Sequence, residues 1–406
     1  MVGSPATSGG RHVDVFGYRV HVAPWLLDEV GRVVGEVAPA HTIAVITDEE
    51  VAGFHAAHAV GSLRHFAGAH RIIYRAIPAG ERHKTREQWL ALTDWMLEER
   101  CGRDTTVVAL GGGVVGDLAG FVAATFMRGV PFVQVPTSLL AMVDASVGGK
   151  VGVDTPAGKN LVGAFHQPSA VIVDPTLLQT LPLAHLRAGL AEVIKHGVIA
   201  DAEYLASAGV LGRQMLGASG ATMEGHQAAA ERTAQPSLDW HNDALSALVA
   251  RSIEIKADVV RQDEREHGIR QILNFGHTIG HAVEAASGFS LLHGEAIAIG
   301  MTLEAELAER LGVAEPGTRQ VVRDALEAVG LPVTLPSTSA APDILDAMRG
   351  DKKARRGRLV FALPSGVGHM AGAGTGYGIA VDDADVLSVL ETGRETGRET
   401  GREGAV

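Results

Sequence analysis

The chain has 406 residues, and because a single hydrophobic core rarely grows beyond about 300 residues, two domains are expected. Hydrophobic residues make up 46% and charged residues 20% of the chain, and the absence of any run of about 18 apolar residues indicates a soluble globular protein without a membrane span. The net charge of −12 argues against nucleic acid or an anionic membrane as a partner, so an anionic substrate would require basic residues concentrated at one site.

Strand and helix patterns alternate through the first half of the chain. Residues 41–47 form an apolar, β-branched run that is followed by Asp48, as in a buried parallel strand. This alternation predicts a parallel sheet covered by helices. The predicted strands are 41–47, 71–76, 105–110, 130–136 and 170–174, and apolar residues at helical spacing predict a helix over 86–99.

The apolar period becomes helical from about Leu183 onward. We therefore predict an α/β + α fold, in which a Rossmann-like nucleotide-binding domain at 12–181 precedes a mostly helical domain at 182–390. Residues 1–11 are expected to be a disordered N-terminus. The remaining predicted elements are helices at 183–206, 241–263, 271–287, 294–312 and 317–329, a strand at 358–363 and a helix at 383–391.

Two segments differ in composition from the rest. Residues 207–240 are rich in Gly, Ala, Ser and Gln, and we interpret them as a loose insertion or an irregular helix pair. Residues 391–406 contain three ETGR repeats, whose balanced charges cannot bury a core. We expect this tail to be disordered and to have no catalytic role.

The cysteine content and the N-terminus bear on location. The single cysteine, Cys101, cannot form an internal disulfide, which suits a reducing compartment. The first ten residues lack both a basic start and an apolar core, so no secretory signal is expected. The sequence therefore predicts a cytoplasmic protein.

A glycine turn follows the predicted strand at 105–110. Gly111, Gly113 and Gly116 satisfy G-x-G-x-x-G, and a strand, glycine turn and helix in succession present backbone N–H groups to a phosphate. The acidic residue usual about 20 positions later is missing, so a nucleotide would be held differently from that in a standard Rossmann enzyme. Three further residues are candidate ribose and adenine contacts or ordinary solvated loop residues: Asp48, Glu81 and Lys84.

Three histidines form the clearest chemical pattern. His277 and His281 are four residues apart and would share a helix face, and His293 follows beside a glycine. Imidazole is a common ligand of divalent transition metals. An isolated HxxxH often arises by chance, but the third histidine and the upstream carboxylate of Glu192 favour a metal site.

Basic residues cluster in the middle of the chain. Lys150 and Lys159 each follow a glycine, which gives the backbone freedom near a bound group. Lys195 lies three residues after Glu192, so the two share a helix face. They form either a surface ion pair of little worth or, because their neighbours are apolar, a buried pair that requires charge pairing or metal ligation.

Five blocks of sequence, taken in order, carry a family resemblance. They are GGGVVGDLAGFVAATFMRG, VDASVGGKVGVDTPAGKNLVGAFHQP, GLAEVIKHG, EIKADVVRQDERE, and LNFGHTIGHAVE with LHGEA. These blocks resemble the 3-dehydroquinate synthases, which belong to the sugar phosphate cyclases. The resemblance covers about residues 12–390 and implies an N-terminal NAD-binding domain, a C-terminal helical metal domain and a homodimer.

The resemblance also implies a reaction and a substrate. The small-molecule substrate would be 3-deoxy-D-arabino-heptulosonate 7-phosphate, a phosphorylated sugar acid of the shikimate pathway. NAD⁺ would accept a hydride, phosphate would leave by elimination, and the same NADH would return the hydride. Ring opening and an intramolecular aldol step would then give 3-dehydroquinate.

Residue by residue, the resemblance implies an open Zn²⁺ or Co²⁺ site formed by Glu192, His277 and His293. The resemblance makes His281 a substrate contact rather than a metal ligand, so it replaces the grouping of the three histidines as ligands. The implied catalytic residues are Asp144, Lys150, Asn160, Lys195 and His281. The implied substrate contacts are Arg128 (reaching in from the partner subunit), Lys150, Asn160, Lys256, Arg270, Asn274, His281, Lys352 and Lys353. The implied cofactor contacts are Asp48, Glu81, Lys84, Gly112, Gly113, Val114, Asp117, Thr137, Ser138, Asp144, Lys150, Lys159, Leu177 and Thr180.

Lys256 and Arg270 distinguish among the cyclases. They correspond to carboxylate contacts of the family, and two buried cations would be costly with nothing to bind. They favour a substrate with a carboxylate over sedoheptulose 7-phosphate, and leave aminodehydroquinate synthase as the alternative. Three features depart from the pattern of the family: Asp154 stands where Asn is frequent, His196 stands where Tyr is frequent, and residues 207–240 form a longer stretch than expected. A metal-dependent alcohol dehydrogenase and a non-catalytic nucleotide-binding homologue are rivals from other classes.

Overall fold

The computed structural model describes residues 10–216, 243–288, 290–350 and 358–394. A first half built on a parallel, Rossmann-like sheet is followed by a mostly helical second half, which confirms the predicted fold class. No described helix has the length and apolar character needed to cross a bilayer. The strands are β1 Arg11–Asp14, β2 Arg19–Val22, β3 Thr42–Asp48, β4 Arg71–Ile77, β5 Thr105–Gly111, β6 Phe132–Pro136, β7 Lys150–Thr155, β8 Gly158–Phe165, β9 Ala170–Val173, β10 Leu359–Phe361, β11 Pro364–Gly366, β12 His369–Met370 and β13 Ile379–Val381. The helices are α1 Val30–Val37, α2 Glu49–Val51, α3 Ala57–Phe66, α4 Arg86–Glu98, α5 Gly113–Thr125, α6 Leu183–Ala200, α7 Ala202–Leu216, α8 Asp243–Gln262, α9 His277–Ala286, α10 His293–Arg310, α11 Thr318–Glu327, α12 Ala341–Gly350 and α13 Asp383–Thr392.

Seven strands form the main sheet, in the order β1-β2-β9-β6-β5-β3-β4. All neighbours run parallel except β1, which pairs antiparallel with β2. The direction of winding reverses at β3, because β4 pairs with one edge of β3 and β5 with the other. This reversal opens a crevice at the carboxyl ends of β3 and β5, which is where ligands bind in open α/β sheets.

Helices cover both faces of the sheet, as the apolar strand sequences predict. Ile43 and Val45 of β3 join the apolar cluster that contains α1 and α3, whereas Ala44 and Ile46 join the one that contains α4 and α5. Successive side chains of a strand point to opposite faces, so a strand buried on both sides must be apolar throughout. The first of these clusters continues into α6, α8 and α10, so the core crosses the predicted boundary at 181 and 182. That domain boundary stays a prediction.

Helices α9 and α10 approach closely at glycines. A Cβ at Gly300 would lie 2.0 Å from the carbonyl oxygen of Gly276, and a Cβ at Gly280 would also meet α10. The buried carboxylate of Glu304 on α10 accepts hydrogen bonds from the N–H groups of Gly276 at 2.7 Å and Ile279 at 3.0 Å. This contact fixes the start of α9, where the first histidine of the HxxxH pattern lies.

The helix predicted over 183–206 is interrupted. It ends at Ala200 because the carboxylate of Asp201 accepts a hydrogen bond from the N–H of Tyr204 at 2.9 Å, and so caps a new helix. That second helix, α7, continues to Leu216, so the interpretation of a loose insertion is wrong for 207–216. Residues 217–242 lie outside the described residues.

The helix predicted over 271–287 also begins later than expected. A tight helical turn covers Ile269–Asn274, Gly276 adopts a left-handed conformation with φ 81°, and α9 begins at His277. The pattern of apolar residues continues through both segments, so it could not reveal the change in backbone direction at the glycine.

Both chain ends are ordered further than predicted. Arg11 lies in β1, although 1–11 was expected to be disordered, and residues 1–9 lie outside the described residues. Helix α13 runs to Thr392, and the carbonyl of Gly393 accepts a hydrogen bond from the N–H of Leu335 at 2.9 Å. The expectation of disorder is therefore wrong for 391–394, and the rest of the tail falls outside the described part of the chain.

Several short elements were not predicted. The antiparallel pair β1 and β2, helix α1, helices α2 and α3, and helix α12 lie in segments for which the sequence predicted no structure. The hairpin of β7 and β8 was also missed, because its outer strand is largely exposed and does not show the alternation of a half-buried strand. This hairpin carries several of the predicted site residues.

Candidate functional site

The glycine turn lies at the carboxyl edge of the sheet. Gly113 begins α5 directly after β5, so the backbone N–H groups of its first turn are available to a ligand. A Cβ at Gly116 would lie 2.8 Å from Gln134 Oε1 on β6, so this glycine allows α5 to pack closely on the sheet. A Cβ at Gly112 would lie 3.4 Å from Ser138 Oγ on the adjacent loop. The structure thus brings together five predicted cofactor residues: Gly112, Gly113, Val114, Thr137 and Ser138.

Three further predicted cofactor residues lie at the carboxyl ends of β3 and β9. Asp48 ends β3 and caps the next helix by accepting a backbone hydrogen bond at 2.9 Å, and burial raises the pKa of its carboxyl group. Thr180 Oγ1 lies 2.9 Å from His55 Nε2, and Leu177 is buried in the helical turn after β9. Each of these residues therefore has a structural contact, and its nucleotide role stays a prediction.

Lys84 is buried among three carboxylates beside the glycine turn. Its Nζ lies 3.1 Å from Glu81, 3.2 Å from Asp117 and 3.7 Å from Asp154. Burial raises the pKa of Asp117 to about 6, against the attraction of Lys84. Burial disfavours the Lys84 ammonium as well, but Asp117 and Glu81 outweigh it and raise the pKa of Lys84. Because carboxylates outnumber this ammonium, the cluster suits hydroxyl groups of a ligand better than a further anion.

Asp154, one of the three departures from the pattern that the sequence resembles, belongs to this cluster. Besides facing Lys84, it accepts a hydrogen bond from the backbone N–H of Asn160 at 2.8 Å. It thereby joins β7 to the start of β8, where Asn160 takes a left-handed conformation with φ 53°. The predicted catalytic residue Asn160 is positioned by this hairpin contact.

Glu192, His277 and His293 converge from three helices. The Nε2 atoms of both imidazoles lie 3.6 Å from Glu192 Oε1. The ring of His281 is 5.2 Å from that of His277 and 5.8 Å from that of His293, centroid to centroid. The structure therefore brings together all three predicted metal ligands and places His281 beside them.

The ring nitrogens that face away from Glu192 meet oxygen atoms. His277 Nδ1 lies 3.0 Å from the carbonyl oxygen of Phe275, and His293 Nδ1 lies 3.3 Å from Glu284 Oε2. A carbonyl or carboxylate oxygen can only accept, so Nδ1 carries the hydrogen in both rings. In the neutral rings the Nε2 lone pairs are then directed at Glu192, as in imidazoles that ligate a metal.

The charge of this centre fits a divalent cation. Neither carboxylate oxygen of Glu192 has a hydrogen-bond partner of standard geometry in the described structure, although Lys195 forms an ion pair with it. Burial and Lys195 hold the pKa of His277 well below its ordinary value, which leaves a lone pair facing a carboxylate. Burial disfavours the charged form of His293, but Glu192 and Glu284 raise its pKa to about 9. A metal ion between the imidazoles and Glu192 would satisfy the His277 lone pair, and it would replace the proton that the raised pKa of His293 keeps on that ring.

A second set of possible ligands, Asp144, Glu192 and His196, is less suited to a metal. The Lys195 ammonium forms ion pairs with both carboxylates of this set, at 3.7 Å for Asp144. Asp144 is also paired with Lys256 at 2.8 Å, so a cation placed there would be repelled by two buried ammonium groups. The carboxylate and two imidazoles on the other side of Glu192 therefore form the better site.

Asp144 lies between two lysines. Its Oδ1 is 2.8 Å from Lys256 Nζ and 3.7 Å from Lys195 Nζ. Burial opposes ionisation of Asp144, but Lys256 and Lys195 outweigh it and hold its pKa well below the ordinary value. Burial also lowers the pKa of Lys256, and the attraction of Asp144 offsets this effect only partly. His196, another departure from the pattern that the sequence resembles, has its Nε2 3.7 Å from Asp144 Oδ1 and its Nδ1 2.7 Å from Ser252 Oγ.

Arg270 is another buried cation near Asp144, and it is 2% exposed. Its guanidinium donates to the carbonyl oxygens of Glu264 and of Gly148, the latter at 3.1 Å. Gly148 has φ 103°, and a Cβ there would lie 2.5 Å from the guanidinium, so only glycine leaves the room that this arginine occupies. Burial lowers the pKa of Arg270 despite the attraction of Glu266 and Asp144.

The predicted phosphate contacts are only partly assembled. Lys150 forms an ion pair with Glu266, and Asn274 Nδ2 donates to the same carboxylate at 2.5 Å. Asn160 lies five residues along β8 from Phe165, the register partner of Lys150, so these two belong to opposite ends of the hairpin.

Of the remaining predicted substrate contacts, one lies on an exposed turn and two fall outside the described residues. Arg128 is exposed on the turn after α5, and both it and Met127 have positive φ, at 69° and 50°. Lys352 and Lys353 lie outside the described residues.

Sequence reasoning missed two acidic residues at this site. Glu266, which has φ 61°, joins Lys150 to Asn274, but in the sequence it belongs to the acidic run DERE that resembles a solvated loop. Glu284 is buried beside His293, and its signal was its spacing of seven residues, two helical turns, from His277. Both required the tertiary structure to be recognised.

Two consecutive segments of the chain match two family models. Residues 74–188 match the model described as 3-dehydroquinate synthase N-terminal, and residues 189–354 match the model described as 3-dehydroquinate synthase C-terminal.

Curated relatives and a solved structure extend this similarity. A 3-dehydroquinate synthase of Desulforamulus reducens is 42% identical over 374 residues, which cover 92% of this chain and 96% of the relative. That of Symbiobacterium thermophilum is 44% identical over 349 residues, covering 86% and 91%. The structure of a 2-epi-5-epi-valiolone synthase from Streptomyces hygroscopicus subsp. jinggangensis, with NAD⁺ and Zn²⁺ bound, has a TM-score of 0.78 and 27% identity and covers 94% of this chain and 97% of that one.

Proposed function

The chain belongs to the 3-dehydroquinate synthase family, and from that membership we propose that it converts 3-deoxy-D-arabino-heptulosonate 7-phosphate to 3-dehydroquinate and inorganic phosphate. It acts as a carbon–oxygen lyase in the synthesis of aromatic amino acids. NAD and one divalent metal ion per subunit, Zn²⁺ or Co²⁺, are its cofactors.

One observation carries this proposal: Glu192 faces the Nε2 atoms of His277 and His293 at 3.6 Å, with the opposite ring nitrogens fixed by oxygen acceptors. A carboxylate and two neutral imidazoles are a donor set typical of a catalytic zinc site, which keeps positions open for substrate oxygens. When bound, the metal supplies Lewis acidity, and the nicotinamide accepts and returns a hydride.

The residues around Asp144 place a buried positive charge next to the proposed metal ligands. Lys195 is 1% exposed and forms ion pairs with Glu192 and Asp144, which outweigh the effect of burial and raise its pKa. Its ammonium is therefore retained in the protein interior, where it can donate a hydrogen bond to a substrate oxygen. His281 lies within the histidine cluster and can contact the same substrate.

Lys256 and Arg270 support a substrate that carries a carboxylate. Both are buried cations whose pKa is lowered by burial, so each is only partly compensated by its protein partners. A bound carboxylate would offset this cost and form charge-assisted hydrogen bonds. A substrate without a carboxylate, such as sedoheptulose 7-phosphate, would leave the two cations without this partner.

The experiment that tests the function follows phosphate release and NADH absorbance together. Phosphate should be released without net NADH accumulation, because the oxidation is reversed within each turnover. An alcohol dehydrogenase would accumulate NADH, and a non-catalytic homologue would release no phosphate. The aminated substrate, run in parallel, tests the alternative that the enzyme is an aminodehydroquinate synthase.

The homodimer and the location are further parts of the proposal. The outer strand β8 exposes three apolar side chains, Leu161 at 37%, Val162 at 38% and Phe165 at 45%, which a second copy of the chain would cover. Analytical ultracentrifugation should show a dimer, and a Phe165→Asp variant should weaken it.

We place the protein in the cytoplasm because its one cysteine, Cys101, is buried as a free thiol.

A further inference from the structure

His293 is held from two sides by two different glutamates. Its Nε2 faces Glu192 at 3.6 Å, and its Nδ1 lies 3.3 Å from Glu284 Oε2. The two ring nitrogens point in different directions, so the imidazole cannot rotate without losing one of these contacts. His277, by contrast, is oriented by a backbone carbonyl, that of Phe275. Of these two imidazoles, His293 is thus the one whose orientation depends on a side chain.

The position of Glu284 follows from the packing of α9 against α10. Glu284 lies on the last turn of α9, and the close approach of the two helices at Gly280 brings it opposite the first residue of α10, His293. Glu284 is 4% exposed, so its carboxylate has little access to solvent and depends on protein partners.

The second oxygen of Glu284 faces the sheet half of the molecule. Its Oε1 lies 2.7 Å from Lys159 Nζ, on the hairpin strand β8. Lys159 is also 3.6 Å from Glu81, which in turn is 3.1 Å from Lys84. A continuous series of charged contacts therefore runs from His293 to Lys84, which is buried among carboxylates beside the glycine turn.

We propose that Glu284 is a positioning residue, which holds His293 with Nε2 directed at the metal and connects this ligand, through Lys159, to the residues of the nucleotide site. This inference rests on the proposed function, since it presupposes a metal at Glu192, His277 and His293. A carboxylate behind a ligating imidazole fixes its tautomer and increases its basicity, and loss of such a partner typically weakens metal binding about 10- to 100-fold.

The test is a titration of metal-free protein with Co²⁺, followed by the visible absorption of the bound ion. Glu284→Ala should weaken Co²⁺ binding by about 10- to 100-fold. Glu284→Gln should weaken it less, because an amide oxygen can still accept from Nδ1–H. Lys159→Gln should also weaken it, and its effect should disappear in the Glu284→Ala background, because the two residues act through one contact.

Glu306→Gln is the matched control. Glu306 is likewise buried and faces arginines, Arg310 and Arg319, and it lies on the same helix as His293. It is about 20 Å from His293 along the helix axis, so it shares the chemistry of Glu284 without its position. Co²⁺ affinity should be unchanged in this variant.

Unchanged Co²⁺ affinity in both Glu284 variants, or an equal loss in Glu306→Gln, would overturn the inference while leaving the proposed function intact. Wild-type protein that binds no Co²⁺ would overturn both. If Glu284→Ala does not fold, the test is carried by Glu284→Gln, which keeps the side-chain volume, and by Lys159→Gln, which keeps a polar side chain without the charge. An unchanged affinity in that pair would contradict the positioning role.

Discussion

Replacement of Lys256 by Met tests whether the substrate carries a carboxylate. Methionine keeps an unbranched side chain of similar length but removes the ammonium, which lies 2.8 Å from Asp144 Oδ1 and 2.5 Å from the carbonyl oxygen of Asp144. A hydrogen bond to a charged group contributes about 1.5–3 kcal/mol. Since about 1.4 kcal/mol corresponds to tenfold in rate, kcat/KM should fall roughly 10- to 150-fold.

The same substitution should cost only moderate stability. Removing one partner of a buried ion pair costs about 3–5 kcal/mol when the other charge is left uncompensated. Asp144, however, keeps Lys195 and His196 at 3.7 Å, and burial already disfavours the Lys256 ammonium, as its lowered pKa shows. We therefore expect the free energy of unfolding to fall by about 1–3 kcal/mol, measured by urea denaturation.

The assay is phosphate release under initial-rate conditions, with kcat and KM determined separately. Arg251→Met is the matched control, because Arg251 is a cation on the same helix α8 whose partners, Asp201 and Glu254, form exposed or half-buried ion pairs with it. Such pairs contribute about 0–1 kcal/mol, and kcat/KM should be unchanged. A Lys256→Met enzyme as efficient as the wild type would refute the carboxylate argument and with it the choice among cyclases.

Three further predictions concern the metal, the helix contact and the tail. Excess EDTA should abolish phosphate release while the far-UV circular dichroism persists, and Zn²⁺ or Co²⁺ should restore it; full activity in verified metal-free protein would contradict the ligand assignment. Gly300→Ala should destabilise the protein by about 3 kcal/mol or more in thermal denaturation, because its Cβ would lie 2.0 Å from the Gly276 carbonyl oxygen; an unchanged melting temperature would show that the two helices separate easily. Deletion of 395–406 should leave turnover and melting temperature unchanged, whereas deletion from 383 should lower the melting temperature, because Val386, Val389 and Leu390 are buried; slower phosphate release by the shorter deletion would reveal a role for the tail.

Elements with a strong local pattern were predicted well. The strands at 42–48, 71–77 and 105–111 were predicted to within about a residue or two, because each is an apolar run of strand length. The glycine turn was also found, since strand, turn and helix follow directly in the chain. The hairpin of β7 and β8 was missed because β8 is mostly exposed, and its glycines and polar residues resemble a loop.

The sequence also predicted most members of the site but few of their contacts. Glu192, His277 and His293 were predicted as ligands through the family resemblance, and the structure brings them together. Glu284 escaped notice, because a glutamate near the end of an amphipathic helix resembles any solvated residue. Likewise, the sequence left open whether Glu192 and Lys195 form a surface or a buried pair, and the structure shows that both are almost fully buried.

The sequence by itself determined the features that depend on residues close together in the chain: the alternating strands and helices, the glycine turn before α5, and two histidines one helical turn apart. Only the tertiary structure decided which face of each imidazole meets Glu192, which carboxylate lies behind His293, and which lysines surround Asp144. These contacts join residues far apart in sequence, such as Glu284 with Lys159 and Lys256 with Asp144. They exist because whole helices pack at fixed distances, as α9 does on α10 through Gly276 and Gly300, and no local pattern encodes that geometry.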